Sequence, residues 1–214
     1  MILYMFPHER KKIDRIRRHF RKADPILFPV LARMELKPLE AERDPKHYFP
    51  KLCREIISQQ LGSGAARAIF TKFKNLFPRK QITAMRVLAF SEKKLRATGM
   101  SWAKARYIRD LAQKTAAGDI HFKKFPDADD DTVISELTKI KGIGQWTAEM
   151  FLIFTLGRED IFSFGDLGLR NAFRRLYGTR QTQSQERMAK IVGRWSPYKS
   201  YASLALWHLW DSQK

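Results

Sequence analysis

The sequence predicts an all-α protein of two helical lobes with a cleft. Apolar residues recur at helical spacing through most of the 214 residues, and no run alternates polar and apolar as a half-buried strand would. A tight Gly142-Ile143-Gly144 turn joins two apolar-patterned stretches. With 44% hydrophobic residues the chain can bury a real core, and it shows neither an internal repeat nor a low-complexity tract.

Each element has its own signal. Between Glu9 and Lys22, Ile13, Ile16 and Phe20 fall on one helical stripe under a basic outer face, which is either solvated or a phosphate contact. Pro25, Pro29, Pro38 and Pro45 break up the connector that follows. Residues 1–48 are therefore expected to be a basic helix and connector packed on a core of residues 49–214. From Tyr48 to Phe77 the pattern is helical, with Leu52, Ile56, Ile57 and Leu61 on one face and a break at Gly62-Ser63-Gly64. Further helices are expected over Thr83–Leu88, Glu92–Ala97 and Trp102–Thr115, the last capped by Ser101.

Gly118 to Asp131 reads as a polar connector, with Asp130 or Asp131 capping the next helix. Its aspartates are a metal cluster or, as is commoner at a helix start, dipole partners. Val133, Leu137 and Ile140 line that helix, and Thr147–Leu156 should be the most buried one. Leu167–Leu176 and Gln185–Trp195 follow, and Ser196-Pro197 should cap and start the last helix, through Trp210.

Charge points to a polyanionic partner. Forty-one Lys+Arg against 22 Asp+Glu give a net charge of +19, and the pI is near 10.3. Such a balance is the electrostatic footprint of a nucleic-acid binder, although a merely basic surface carries the same signal. Cys53 stands alone, which excludes a disulfide framework, a CxxC zinc site and a four-thiolate iron–sulfur cluster. A reducing intracellular compartment fits: cytoplasm or nucleoid in a prokaryote, nucleus in a eukaryote. The apolar opening Met1–Phe6 is cut by Pro7 and is too short for a signal segment or a membrane span, so no membrane partner is expected.

The most informative stretch is Leu137-Thr138-Lys139-Ile140-Lys141-Gly142-Ile143-Gly144-Gln145-Trp146-Thr147-Ala148, with Asp166 22 residues after Gly144. A glycine turn at a helix start presents backbone N–H groups to an anion, and glycine permits close approach and positive φ. Asp166 follows Ser163-Phe164-Gly165 and precedes a helix, so it is an ordinary N-cap or a carboxylate held at a site. Asp160, in a charged loop, reads as structural.

Together with Leu52–Gln60, Thr98–Ala105, Asp160–Asp166 and Trp195–Ala202, this layout resembles the helix–hairpin–helix DNA glycosylases, specifically the 3-methyladenine DNA glycosylase II type. The likeness runs from about Phe49 to Trp210, roughly three quarters of the chain. It implies excision of alkylated purines such as 3-methyladenine and 7-methylguanine from double-stranded DNA containing damaged bases, by a monomer that needs no cofactor for the chemistry. Asp166 matches the catalytic aspartate, and Trp146 and Trp207 match aromatic base-pocket positions. Met150 and Leu167 stand where that type has pocket tyrosines, and Gly165 replaces an acidic neighbour of the aspartate. Gln60 or Leu61 would fill the gap left by a flipped nucleotide, with Gly142, Gly144 and Thr147 at the DNA backbone. The carbonyls of Thr138, Ile140 and Ile143 match a Na+ or K+ site.

The resemblance also bears on reaction type. Trp146 occupies the position of the Schiff-base lysine of bifunctional relatives, which implies hydrolysis without lyase chemistry. The first 48 residues are short and helix-like, so the separate N-terminal β-domain of the bacterial type is not expected. Tryptophans suit cationic methylpurines through cation–π attraction, while Trp195 and Trp210 are assigned to the core. A glycosylase for a deaminated or oxidised base, and a non-catalytic hairpin module, are the competing readings.

Overall fold

The computed structural model describes residues 6–178 and 185–212. The Met1–Met5 part of the apolar opening lies outside them. The described residues form helices α1 (Pro7–Ala23), α2 (Phe28–Arg33), α3 (Tyr48–Ser58), α4 (Ser63–Asn75), α5 (Ala84–Leu88), α6 (Glu92–Arg96), α7 (Trp102–Ala117), α8 (Asp130–Thr138), α9 (Gln145–Phe154), α10 (Leu167–Tyr177), α11 (Gln185–Gly193) and α12 (Lys199–Asp211). No strand occurs among them, as the periodicity predicted. None of these helices is long and apolar enough to cross a membrane.

Two compact units divide the chain: Ala41–Leu156, and Met1–Glu40 with Gly157–Lys214. This differs from the boundary expected at residue 48. The reason is packing: Ile13, Ile16 and Phe20 of α1 and Leu31 of α2 are buried with Phe162, Phe173, Trp195 and Leu206 in one core. The N-terminal helices are thus part of the C-terminal unit's interior. Asp24 ties this core together. Its Oδ2 accepts from Trp195 Nε1 at 2.7 Å and from Tyr177 Oη at 2.5 Å, and its Oδ1 accepts from Leu27 N at 2.9 Å. Both carboxylate oxygens of Asp24 thus find partners of good geometry once out of water. Trp195 is fully buried and Trp210 packs at the edge of the same core, as assigned.

Within 41–156, α3 packs on α4 and α7, α5 and α6 on α7, and α8 on α9. Tyr48 sits among Phe122, Phe125 and Phe151. The segment read as a polar connector therefore sends two buried phenylalanines into the core. Cys53 is fully buried, and burial pushes its thiol far above the ordinary range. It is a packing residue rather than a nucleophile.

Local chemistry explains the remaining differences. Pro29 lies in the first turn of α2, where its missing N–H costs nothing, so a short helix forms inside the Pro-rich connector. Asp129, one residue earlier than expected, caps α8 through Thr132 N at 2.7 Å. The last helix starts at Lys199, after a cis Ser196–Pro197 bond, and no side chain caps it. Ser196 instead donates its hydroxyl to Asp160 at 2.6 Å, and Lys199 adds its backbone N–H and its ammonium. Those three bonds make Asp160 structural.

Candidate active site

The hairpin between α8 and α9 belongs to the 41–156 unit, and α7 supports it from below. Gly142 has φ +82°, and a Cβ there would overlap the Tyr107 ring. Glycine is required twice over, by backbone conformation and by the ring beneath it. Lys141 donates its backbone N–H to Asp110 Oδ2 at 2.8 Å. Burial would push the Asp110 carboxyl up, but Lys114 and that N–H outweigh it and hold the group below its usual value. Gly144 differs from Gly142: its φ is −94°, and a Cβ there would meet nothing within 4 Å. It is the N-cap of α9 and offers no capping side chain, so the positive end of that helix is left for an outside anion.

Gln59 and Lys104 join the hairpin to the end of α3. Gln59 Nε2 donates to the Gly142 carbonyl at 2.8 Å and to Thr147 Oγ1 at 3.4 Å. Lys104 Nζ donates to the carbonyls of Ile57 and Gln59 at 2.8 and 2.6 Å, and burial lowers its pKa. Between these braces the exposed Gln60 is held at φ +57°, a strained conformation for a side chain of its size. Thr147, expected at the DNA backbone, turns its side chain inward and is buried. Its hydroxyl serves as part of the brace.

Gln60, Leu61, Trp146 and Thr147 line one open cavity of about 610 Å³, together with Glu55, Ser58 and Gln59. Trp146 is 46% exposed there, and Leu61 is exposed beside it. Met150, one turn along α9, is buried instead. The side chains of Ile140 and Ile143 are buried too, so only backbone from these residues is available to a ligand. The Ile140 carbonyl accepts from Ile143 N at 3.0 Å, and Thr138 is the last residue of α8.

The other unit gathers Asp166, Leu167 and Trp207. Asp166 is the N-cap of α10: its Oδ1 accepts from Leu169 N at 2.7 Å and from Trp207 Nε1 at 3.3 Å. It is a cap and an oriented carboxylate at once, because the two N–H groups that meet Oδ1 also fix its rotamer. Trp207 is half-buried and engages the aspartate edge-on through its N–H. Gly168 keeps this corner open, since a Cβ there would lie 3.2 Å from Asp166 Oδ1. Leu167, at the first position of α10, is 66% exposed.

Sequence reading missed Gln59, Lys104, Tyr107 and Asp110. The last three fall at i, i+3 and i+6 on α7, polar positions interleaved with the buried Ala105, Ile108 and Leu111. Polar groups beside an apolar stripe are usually solvated, and only contacts 30 to 50 residues away show that these three are spent on the hairpin and on α3. Replacing Lys104 by Met keeps the stem and removes both bonds. We expect a stability loss of about 1–3 kcal/mol and, through the released Gln60 loop, roughly tenfold weaker DNA binding. Thermal melts and fluorescence anisotropy on a duplex measure both, and an unchanged affinity would show that the brace does not hold the loop.

The model of HhH-GPD superfamily base excision DNA repair proteins matches residues 53–197. The chain belongs to this family. Among its members, DNA-3-methyladenine glycosylase 1 of Schizosaccharomyces pombe is 34% identical over 171 residues, covering 79% of this chain and 74% of that protein. The crystal structure of the DNA-3-methyladenine glycosidase of Bacillus halodurans superposes with a TM-score of 0.78 at 32% identity, over 92% of this chain and 89% of that one. The 3-methyladenine DNA glycosylase of Schizosaccharomyces pombe in complex with abasic DNA superposes with a TM-score of 0.74 at 29% identity, over 90% and 95%. The HhH-GPD match begins inside α3 and ends just before α12, so it takes in the braces, the hairpin and Asp166.

Proposed function

We propose that this HhH-GPD protein is a monofunctional DNA glycosylase that excises alkylated purines of the 3-methyladenine and 7-methylguanine kind, leaving an abasic site. One observation carries the reading: Asp166, a buried carboxylate in the position of the family's catalytic aspartate, is fixed by Leu169 N and by the indole N–H of Trp207. Breaking a C1′–N bond develops oxocarbenium character on the sugar. A carboxylate already oriented at a helix N-terminus stabilises that charge without reorganising, and it orients the attacking water. The names and folds of the relatives support the alkylpurine class.

The partner is double-stranded DNA bound by a single copy of the chain inside the cell. The uncapped start of α9 and the hairpin amides take backbone phosphate, and the excess of 19 positive charges supplies sequence-independent affinity. The carbonyls of Thr138, Ile140 and Ile143, at the negative end of α8, are hard oxygen donors suited to Na+ or K+. The Ile140 oxygen keeps a second lone pair beyond its bond to Ile143 N. Such an ion would supply positive charge toward a phosphate.

With Trp146 in the lysine position, release of the base proceeds by water attack. Incubation with methylated duplex should give free methylpurine and alkali-labile abasic sites, and borohydride should trap no covalent complex. A trapped complex that disappears on mutating one lysine would make the protein a lyase. Absence of any base release would leave a DNA-binding module.

A further inference from the structure

The cavity holding Trp146 contains a carboxyl that none of the assigned roles uses. Glu55 lies on α3, one turn before Gln59, and lines the same space as Gln60, Leu61 and Trp146. It is partly buried, and among the described residues no hydrogen bond or ion pair engages its carboxylate. The one charge acting on it is that of Arg54, its neighbour in sequence, while burial pushes its pKa above the usual carboxylate value.

This is an unusual place to leave an acid alone. The chain carries 41 Lys and Arg, and Asp110, Asp160 and Glu159 each have a lysine within 3.1 Å. Removing a carboxylate from water without a partner is unfavourable, and a site tolerates it where a ligand completes the pair. The same cavity is lined by the half-exposed indole of Trp146. An indole face and a carboxylate together favour a flat cation: the ring attracts it from its face, and the acid provides the counter-charge. Lesions alkylated at a ring nitrogen are flat cations, whereas hypoxanthine of similar size is neutral.

We propose that Glu55 is a specificity-determining residue, supplying the negative charge that selects a positively charged base seated against Trp146. The proposal rests on the glycosylase reading above. It predicts discrimination by charge rather than by shape.

The test is Glu55→Gln, which keeps size and removes charge, with single-turnover excision of 7-methylguanine and of hypoxanthine from otherwise identical duplexes. The 7-methylguanine rate should fall about 10- to 100-fold, the range of one charge-assisted bond, while the hypoxanthine rate stays within threefold. Glu55→Asp, retaining charge at shorter reach, should recover part of the loss. Equal losses on both lesions, or no loss on either, would overturn the proposal, and so would a loss confined to hypoxanthine, which would mean that a neutral carboxyl donates to the base. Thermal melts of each variant show that it is folded. Binding of free 7-methylguanosine against inosine, followed by calorimetry, reads the same preference without catalysis. A wild type that releases no base but prefers the cationic nucleoside, with Glu55→Gln abolishing the preference, would uphold Glu55 and overturn the enzyme.

Discussion

Asp166→Asn should reduce the rate of base release by roughly 10²–10³ or more, the cost of losing one preorganised electrostatic group. DNA affinity should change only a few-fold. The reason for separating the two lies in the geometry: asparagine is as good an N-cap as aspartate, so its side-chain oxygen can still accept from Leu169 N and the start of α10 is preserved. What disappears is the charge. Neutral lesions should suffer most, because a cationic purine departs more readily from the sugar. Trp207→Phe should fall between the variant and the wild type, since it removes the N–H that orients Oδ1 but keeps the ring. Single-turnover excision of hypoxanthine is the decisive measurement. Full activity of Asp166→Asn would reduce that residue to a helix cap.

Gly142→Ala should be the most damaging change in the hairpin. The left-handed φ of +82° alone costs about 1–2 kcal/mol for an L-residue. The added methyl would overlap the Tyr107 ring, and overpacking of this kind adds about 1–3 kcal/mol. The hairpin must shift, which pulls Gly142 O away from Gln59 and Lys141 N away from Asp110. We expect a total loss of about 3 kcal/mol and a drop in duplex affinity of more than tenfold. A double-mutant cycle with Tyr107→Ala separates the contributions. Removing the ring should relieve the clash but not the φ penalty. Additive effects would show that the ring and the glycine do not constrain each other. Gly144→Ala is the contrast: with ordinary φ and open space it should fold normally, so any effect on DNA binding belongs to the ligand side.

The elements most legible in the sequence were those whose signal is local. Ile13, Ile16 and Phe20 announce α1, Ser101 announces the start of α7, and the run after Gly144 announces a buried helix; each is present within a residue or two. Capping and periodicity depend on neighbours within one or two turns, so composition along the chain is enough. The same holds for the Gly-x-Gly turn and for Asp166 at a helix start. The family likeness converted those local features into a site.

Contacts distant in sequence could not be read this way. Nothing near residue 24 says that its carboxylate will meet Tyr177 and Trp195, and so which part of the 49–214 core the N-terminal segment joins is not legible there. Nothing near residue 147 says that its hydroxyl will meet Gln59, 88 residues away. Glu55 reads in sequence as one more polar position on an amphipathic helix. The helices, the hairpin and the charge are legible from residue order alone, because they follow from the chain's own spacing and composition. Which glycine is indispensable, which lysine holds the strained Gln60 loop and that Glu55 lines a cavity unpaired are settled by packing, because burial and partnership are properties of the folded molecule.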